Sequence, residues 1–341
     1  MLFRPLGNTG LTLSAVGLGG HWRTADGRRY CDSFACDEVP AEVLRHRDAV
    51  VGSCLDAGIN YLDITTAAEC LAYGRVLGGR RDRFVIGADD YQWGPRRPAY
   101  LCVAALVANV ERCLSRLRTD RLDIWRATSE VHGENSDADV EMVIEAAARL
   151  RQAGKICHLG VSGHHPGWMR STIRRFEPFK VAVLPCVPFG CGESSAAPGP
   201  KDPGHPSEDP AHAEGGQGCP PPGEDTWRTA AGRGIGIIGI KPFAGGLLFA
   251  GGDADVRSRG GLNDRLAGLA LRHALHRKPP ATTVVVGLTT PAEARSAVAA
   301  AMAPPPDADE MDWLIRTTRR RLGTLPADYR WLAAWDVFQG N

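Results

Sequence analysis

Short runs of apolar, largely β-branched residues alternate along the chain with stretches whose apolar positions recur every three or four residues. The first kind predicts strands at 13–20 (LSAVGLGG), 60–64 (NYLDI), 83–88 (RFVIGA), 121–127 (RLDIWRA), 156–162 (ICHLGVS), 180–187 (KVAVLPCV), 235–240 (IGIIGI) and 282–287 (TTVVVG). The second predicts helices at 41–58, 70–79, 100–117, 137–154, 166–176, 264–278 and 291–301. The helix at 41–58 stops on Gly58, and the one at 137–154 opens on acids and stops on Gly154, both ordinary terminal signals. Strands apolar on both faces and joined by helices belong in a parallel sheet.

Eight such units, with no Gly-x-Gly-x-x-Gly after the first strand, predict an α/β fold closed as a (β/α)8 TIM barrel over residues 1–341 as one domain. The opening FRPLGNTGLTLS carries an Asn-Thr-Gly turn between extended runs and predicts an N-terminal β-hairpin under the barrel floor. Residues 190–225 are Gly, Pro, Ser and acids with almost no apolar residue, which predicts a disordered low-complexity loop on the C-terminal rim. It reads as a lid or as a tolerated insertion. Its Cys191, His205, His212 and Cys219 show no metal-ligand spacing.

Composition narrows the class. With 40 basic and 39 acidic residues in 341, the net charge of +1 gives no field for nucleic acid or an anionic membrane. No apolar run approaches a membrane span, and the start resembles no signal peptide. The ten cysteines form no Cys-x-x-Cys pair and read as reduced thiols of a cytoplasmic protein acting on a small molecule.

In order and spacing, FRPLGNTGLTLSAVGLGG, DAGINYLD, RRDRFVIGA, RLDIW, AGKICHLGVSG, GRGIGIIGIKPFAGGLL and TTVVVGLTTPAEA resemble the segments of the aldo-keto reductases across nearly the whole chain. The resemblance implies carbonyl reduction with NADPH by an Asp, Tyr, Lys and His at the barrel mouth, the Lys lowering the phenol's pKa. Asp63 matches the Asp. The Tyr position holds Ala68, the Lys position Asp89 and the His position Thr128. Tyr73 is followed by Gly74, but the spacing places it on the second helix, with the proton-donor segment deleted.

The cofactor positions are mixed. Ser162, Lys241, Phe243, Gly287 and the glycines at 245 and 246 match, and Arg295 could meet a phosphate. Gly163, Pro185, Ser296 and Ala297 stand where the resemblance expects amide or acid contacts. The resemblance therefore leaves the cofactor unknown, with NADPH an open question.

The replacements are themselves titratable. Asp63 and Asp89 are expected on adjacent strands at one depth, near Asp90 and Glu69, where two carboxylates cannot both ionise cheaply. His164 and His165 follow the fifth strand at the same rim. Asp63, Asp89, His164 and His165 are thus candidate catalytic residues, and His21, Trp22, Arg126 and Thr128 candidate substrate contacts. Alternatively, Asp89 and Asp90 face solvent or pair with Arg96, Arg97 or Arg126. No motif fixes a metal site. Three readings stay open: non-redox acid–base catalysis (elimination, isomerisation or cyclisation) on a small polar metabolite, NADPH-dependent reduction with a displaced donor, and a non-catalytic scaffold.

Overall fold

The computed structural model describes residues 1–23, 30, 37–188, 225–249, 261–322 and 324–335. Of the 190–225 segment only Asp225 is among them, so the expected loop lies outside the described residues. β1 (Phe3–Pro5) and β2 (Thr12–Ser14) form an antiparallel hairpin. The next eight strands are β3 (Val16–Gly19), β4 (Tyr61–Ile64), β5 (Val85–Ala88), β6 (Leu122–Thr128), β7 (Ile156–Ser162), β8 (Phe179–Pro185), β9 (Gly236–Ile240) and β10 (Thr283–Val286). They pair in parallel in chain order, and β10 returns to β3, closing the barrel.

The helices are α1 (Ala41–Asp56), α2 (Ala67–Val76), α3 (Val103–Leu117), α4 (Asp137–Gln152), α5 (Pro166–Arg175), α6 (Thr226–Gly232), α7 (Gly261–His276), α8 (Pro291–Met302) and α9 (Ala308–Leu322), followed by a 3₁₀ segment, Ala327–Trp335. The periodicity reading did not mark α6, α9 or that last segment. α9 did carry a signal, with Asp309 and Glu310 in its first turn and Arg319 to Arg321 in its last.

Alternation along each strand separates two layers. Leu13, Tyr61, Ile124, Val181, Val183, Ile238 and Val285 pack inside the barrel with Leu6 of the hairpin. The intervening strand residues, such as Leu62, Ile86 and Trp125, pack outward against the helices. The hairpin closes the floor through Asn8 N–H to Gly234 O at 2.8 Å. The filled interior leaves the C-terminal strand ends as the place for chemistry. Among the described residues, no helix is long and apolar enough to cross a membrane.

Candidate active site

Strand alternation brings Asp63 from β4, Asp89 just past β5, and Arg126 and Thr128 from β6 to one end of the barrel. Asp63 pairs in register with Gly87 on the strand between β4 and β6. A Cβ on Gly87 would stand 2.3 Å from the Tyr61 hydroxyl, so this glycine makes room for the phenol below. With no side chain at Gly87, Arg126 reaches across β5 to Asp63, its Nε 3.0 Å from Oδ1. The two acids therefore do not face each other bare: Arg126, named in the sequence as a possible partner of Asp89, pairs with Asp63. Arg126 Nε is buried and makes no hydrogen bond among the described residues, so its contact with Asp63 is an ion pair.

Asp89 is held by other donors. Its carboxylate accepts from Trp125 Nε1 at 3.2 Å, the Thr128 amide at 3.1 Å and Asn109 Nδ2 at 3.4 Å. Asp63, Asp89 and Arg126 are all at least 95% buried. Burial pushes both acids above the usual carboxylate range, against the pull of Arg126. Burial also opposes the charge on Arg126, but Asp63 and Asp89 outweigh it and hold the guanidinium firmly ionised. Two acids thus share one cation in a dry setting.

Asp90 adds a further buried acid. One carboxylate oxygen accepts from the Gln92 amide at 3.3 Å, and the other is buried with no partner. Burial, then the neighbouring Asp89, raises it to about 6. Its pKa is higher folded than unfolded, so the fold loses stability as pH rises from about 4 to about 6. Asp90→Asn is expected to flatten that interval of a stability–pH curve and to stabilise by on the order of 2 kcal/mol at pH 7.5, read by urea denaturation.

Neither tyrosine next to Asp63 is an available acid. The Tyr73 hydroxyl is fully buried on α2 and donates to Gly19 O at 3.2 Å, and burial raises its pKa far above the ordinary phenol value. Tyr61 donates to Asp63 Oδ1 at 3.2 Å from the barrel interior, and burial followed by the Asp63 charge raises it likewise. Tyr73 is therefore a helix-packing residue, as its spacing predicts.

The other candidates divide. His164 lies at the mouth with Nε2 3.2 Å from an Arg96 nitrogen, its ring stacked on Trp331 at 3.7 Å between centroids. His165 is drawn aside: its Nδ1 accepts the Trp168 amide at 3.0 Å and caps α5. Trp22 is fully buried, stacked on Tyr30 at 4.7 Å and edge-on to Tyr73 at 5.2 Å, with the Arg47 guanidinium 4.9 Å above it. Among the described residues it packs in the core, not as the substrate contact that its place after the first strand suggests. His21 stands at the rim, with 43% of its side chain exposed. Ser162 is level with Thr128 across β6 and β7. Among the described residues, no group of three or more His, Cys, Asp or Glu is placed to hold a metal ion.

The 3₁₀ segment Ala327–Trp335 lies over this end of the barrel as a strap. Tyr329 and Trp331 place their rings 5.3 and 5.7 Å from Lys241 Nζ. A Cβ on Gly245 would stand 2.8 Å from the Tyr329 ring. The Trp335 indole donates to His164 O at 2.6 Å. Nothing in the sequence pattern announces these contacts, because three aromatics near a chain end have no period that points inward.

The barrel has the aldo-keto reductase fold. It superposes on the aldo-keto reductase AKR11C1 from Bacillus halodurans in its holo form with a TM-score of 0.62, at 21% identity, over 93% of this chain and 96% of that one. Against PA4992 from Pseudomonas aeruginosa, described as an aldo-keto reductase, the TM-score is 0.57 at 22% identity, over 88% and 93% of the two chains. In sequence, 186 residues are 25% identical to the uncharacterized oxidoreductase YqkF of Bacillus subtilis (strain 168). That match covers 50% of this chain and 52% of the relative, so the chain spans about half the length of the relative it matches. No family model matches the sequence.

In this fold the residues that would meet NADPH can be checked in place. Lys241, in left-handed backbone at φ 54°, keeps its turn after β9, but the strap's aromatic rings lie against its ammonium. Phe243 packs on Phe249 at 5.1 Å. Gly287 lies under the His21 carbonyl, 3.0 Å from where its Cβ would be, and Arg295 is exposed on α8. Pro185 ends β8 without an amide side chain. The strap's rings thus lie against the Lys241 ammonium, while Gly245 of the same turn stays exposed.

Proposed function

We propose that this chain is a divergent member of the aldo-keto reductase superfamily whose mouth performs non-redox acid–base catalysis on a small polar carbonyl compound. The observation that carries the reading is the ion pair of Arg126 with Asp63. The barrel keeps a buried cation beside the Asp, as the superfamily does, but the cation no longer serves a phenol. Arg126 stays ionised at any accessible pH, so it acts as an electrophile for a developing oxyanion and never as an acid. Asp63 and Asp89, raised by burial, are better matched to proton abstraction near neutrality than ordinary carboxylates. Removal of a proton α to a carbonyl sends the electron pair to oxygen. Arg126 holds that enolate oxygen, and reprotonation at carbon gives exchange or isomerisation without a redox partner.

The test is deuterium wash-in at the α-carbon of dihydroxyacetone in D₂O, followed by proton NMR. The wild type is expected to exchange faster than Asp63→Asn by about 100-fold, within the range general bases contribute. Equal rates in the two proteins would refute the reading.

The second reading is NADPH-dependent reduction with a displaced donor, which is a histidine now that Tyr73 is packed on α2. The fold shared with an aldo-keto reductase solved in holo form favours it. Oxidation of NADPH on adding aldehydes would establish it. Neither exchange nor NADPH oxidation would leave the scaffold reading.

A further inference from the structure

The rim holds a second charged unit that the reading above does not use. Glu69, the third residue of α2, is fully buried directly behind His21. One carboxylate oxygen accepts from the His21 amide at 2.7 Å and from His21 Nδ1 at 2.9 Å. The other accepts from the Thr65 amide at 2.8 Å and the Thr65 hydroxyl at 2.9 Å. Burial alone would raise this acid, but the His21 charge and these donors outweigh it and leave Glu69 below its ordinary value. Its place in the first turn of a helix favours the anion further.

The backbone is shaped to make the contact. His21 is in the left-handed region at φ 54°, a conformation uncommon outside glycine and a form of local strain that gathers at functional positions. Gly20 precedes it, and a Cβ there would stand 2.1 Å from a Glu69 oxygen, so only glycine lets the carboxylate lie against this turn. The pair therefore does not arise from a chance rotamer of an exposed histidine. The chain takes a strained step and gives up a side chain to form it.

With Nδ1–H committed to a buried carboxylate, the ring's tautomer is fixed and Nε2 becomes its titrating atom. This is the carboxylate–histidine arrangement that makes imidazole an effective acceptor and then donor of protons. The location suits the task. The neighbouring Gly20 amide donates to Asp63 O at 2.7 Å, which ties His21 to the strand end carrying Asp63. Glu69 from α2 and Asp63 from β4 both present negative charge to His21, and Arg126 stands beyond Asp63. Across the rim the His21 carbonyl meets the Gly287 turn, the Arg23 amide donates to the Thr289 hydroxyl at 3.4 Å, and the Glu293 carboxylate accepts from the Thr289 amide at 2.7 Å.

We propose that His21, held through Nδ1 by Glu69, is the catalytic proton carrier of this mouth, exchanging protons between the bound carbonyl compound and solvent in place of the missing tyrosine. Glu69 is its positioning residue. The substrate class is then a small hydroxycarbonyl compound, with its oxygen on Arg126 and a second oxygen within reach of the imidazole. This inference rests on the acid–base reading, and the experiment separates the two.

His21 is followed by imidazole proton NMR across pH in the wild type and in Glu69→Gln. Deuterium exchange into dihydroxyacetone is measured in both and in His21→Gln. The inference expects His21 to titrate at least about one unit higher in the wild type than in Glu69→Gln. It also expects the rate–pH limb of exchange to move with that titration in Glu69→Gln and to vanish in His21→Gln, with a loss of about 100-fold. Equal titration in wild type and Glu69→Gln overturns the dyad. A normal rate and pH profile in His21→Gln overturns the role of His21 while the acid–base reading survives. No exchange by the wild type overturns that reading and the proton-carrier role together, whatever His21 titrates at.

Discussion

Arg126→Met is expected to lower stability at pH 7 by about 3–5 kcal/mol, the range for removing one partner of a buried ion pair. The cost is not the lost 3.0 Å contact with Asp63 itself. It is the pair of carboxylates left behind, each almost wholly enclosed, with no cation between them. The sign of the pH dependence follows from their direction. Both acids already sit above their unfolded value because of burial, and losing Arg126 raises them further. The folded variant then binds more protons than the unfolded chain above about pH 4, so its stability should rise as pH falls toward that value. Urea denaturation at pH 5 and pH 7.5 checks this: the variant should recover part of its deficit at the lower pH. A deficit equal at both values would mean that Arg126 acts by packing alone. Arg126→Lys should retain more stability than the methionine variant, because it keeps a charge, but less than arginine, because an ammonium lacks the reach and fork of a guanidinium.

Ending the chain after Pro326 is expected to have a similar cost and an opposite effect on access. Leu332 is fully buried in the cluster built with Leu248, Leu266, Leu269 and Leu314, and Trp335 is 5% exposed. Removing the two side chains forfeits about 1.5–3 kcal/mol each, roughly 5 kcal/mol together. The truncation also uncovers Lys241, whose ammonium lies under the Tyr329 and Trp331 rings. Cation–π contacts of this kind contribute about 0.5–2 kcal/mol each. A milder pair, Tyr329→Ala with Trp331→Ala, keeps Leu332 and Trp335 in place and isolates the second effect. In that variant acylation of Lys241, measured by mass spectrometry, should quicken by about tenfold, and inorganic pyrophosphate should protect it. An unchanged labelling rate would show that the strap does not govern access to this turn.

The barrel was legible because each strand is apolar on both faces and each helix keeps its own period, signals that survive without any partner in view. Asp63 and Asp89 were legible too, as acids at strand ends. Arg126 was legible as a possible partner of Asp89, but its pairing with Asp63 was not, because that depends on register. Gly87 is level with Asp63, and only that pairing shows that an inward residue of β6 can pass over β5. Trp22 failed as a pocket residue for a related reason. A Trp just after the first strand's rim histidine reads as a substrate contact, and only packing against Tyr30, Tyr73 and Arg47 shows it turned inward. Glu69 was named only as a neighbour of the acids, since nothing in its spacing predicts a histidine 48 residues earlier in the chain behind which it would be buried. His165 had a local signal: it precedes Pro166 at the start of a helix, the usual place for a cap.

The crossing of Arg126 over Gly87 also couples the charges of the two strands. Asp89→Lys would bury an ammonium beside a guanidinium. It would also strand the Trp125 indole, the Thr128 amide and the Asn109 side chain, which all donate to Asp89. Arg126 would have to be exchanged in the same step, and alone that exchange leaves two bare acids. Each half of the exchange is therefore disfavoured without the other, and the fold acts as a ratchet that holds the positive charge on β6.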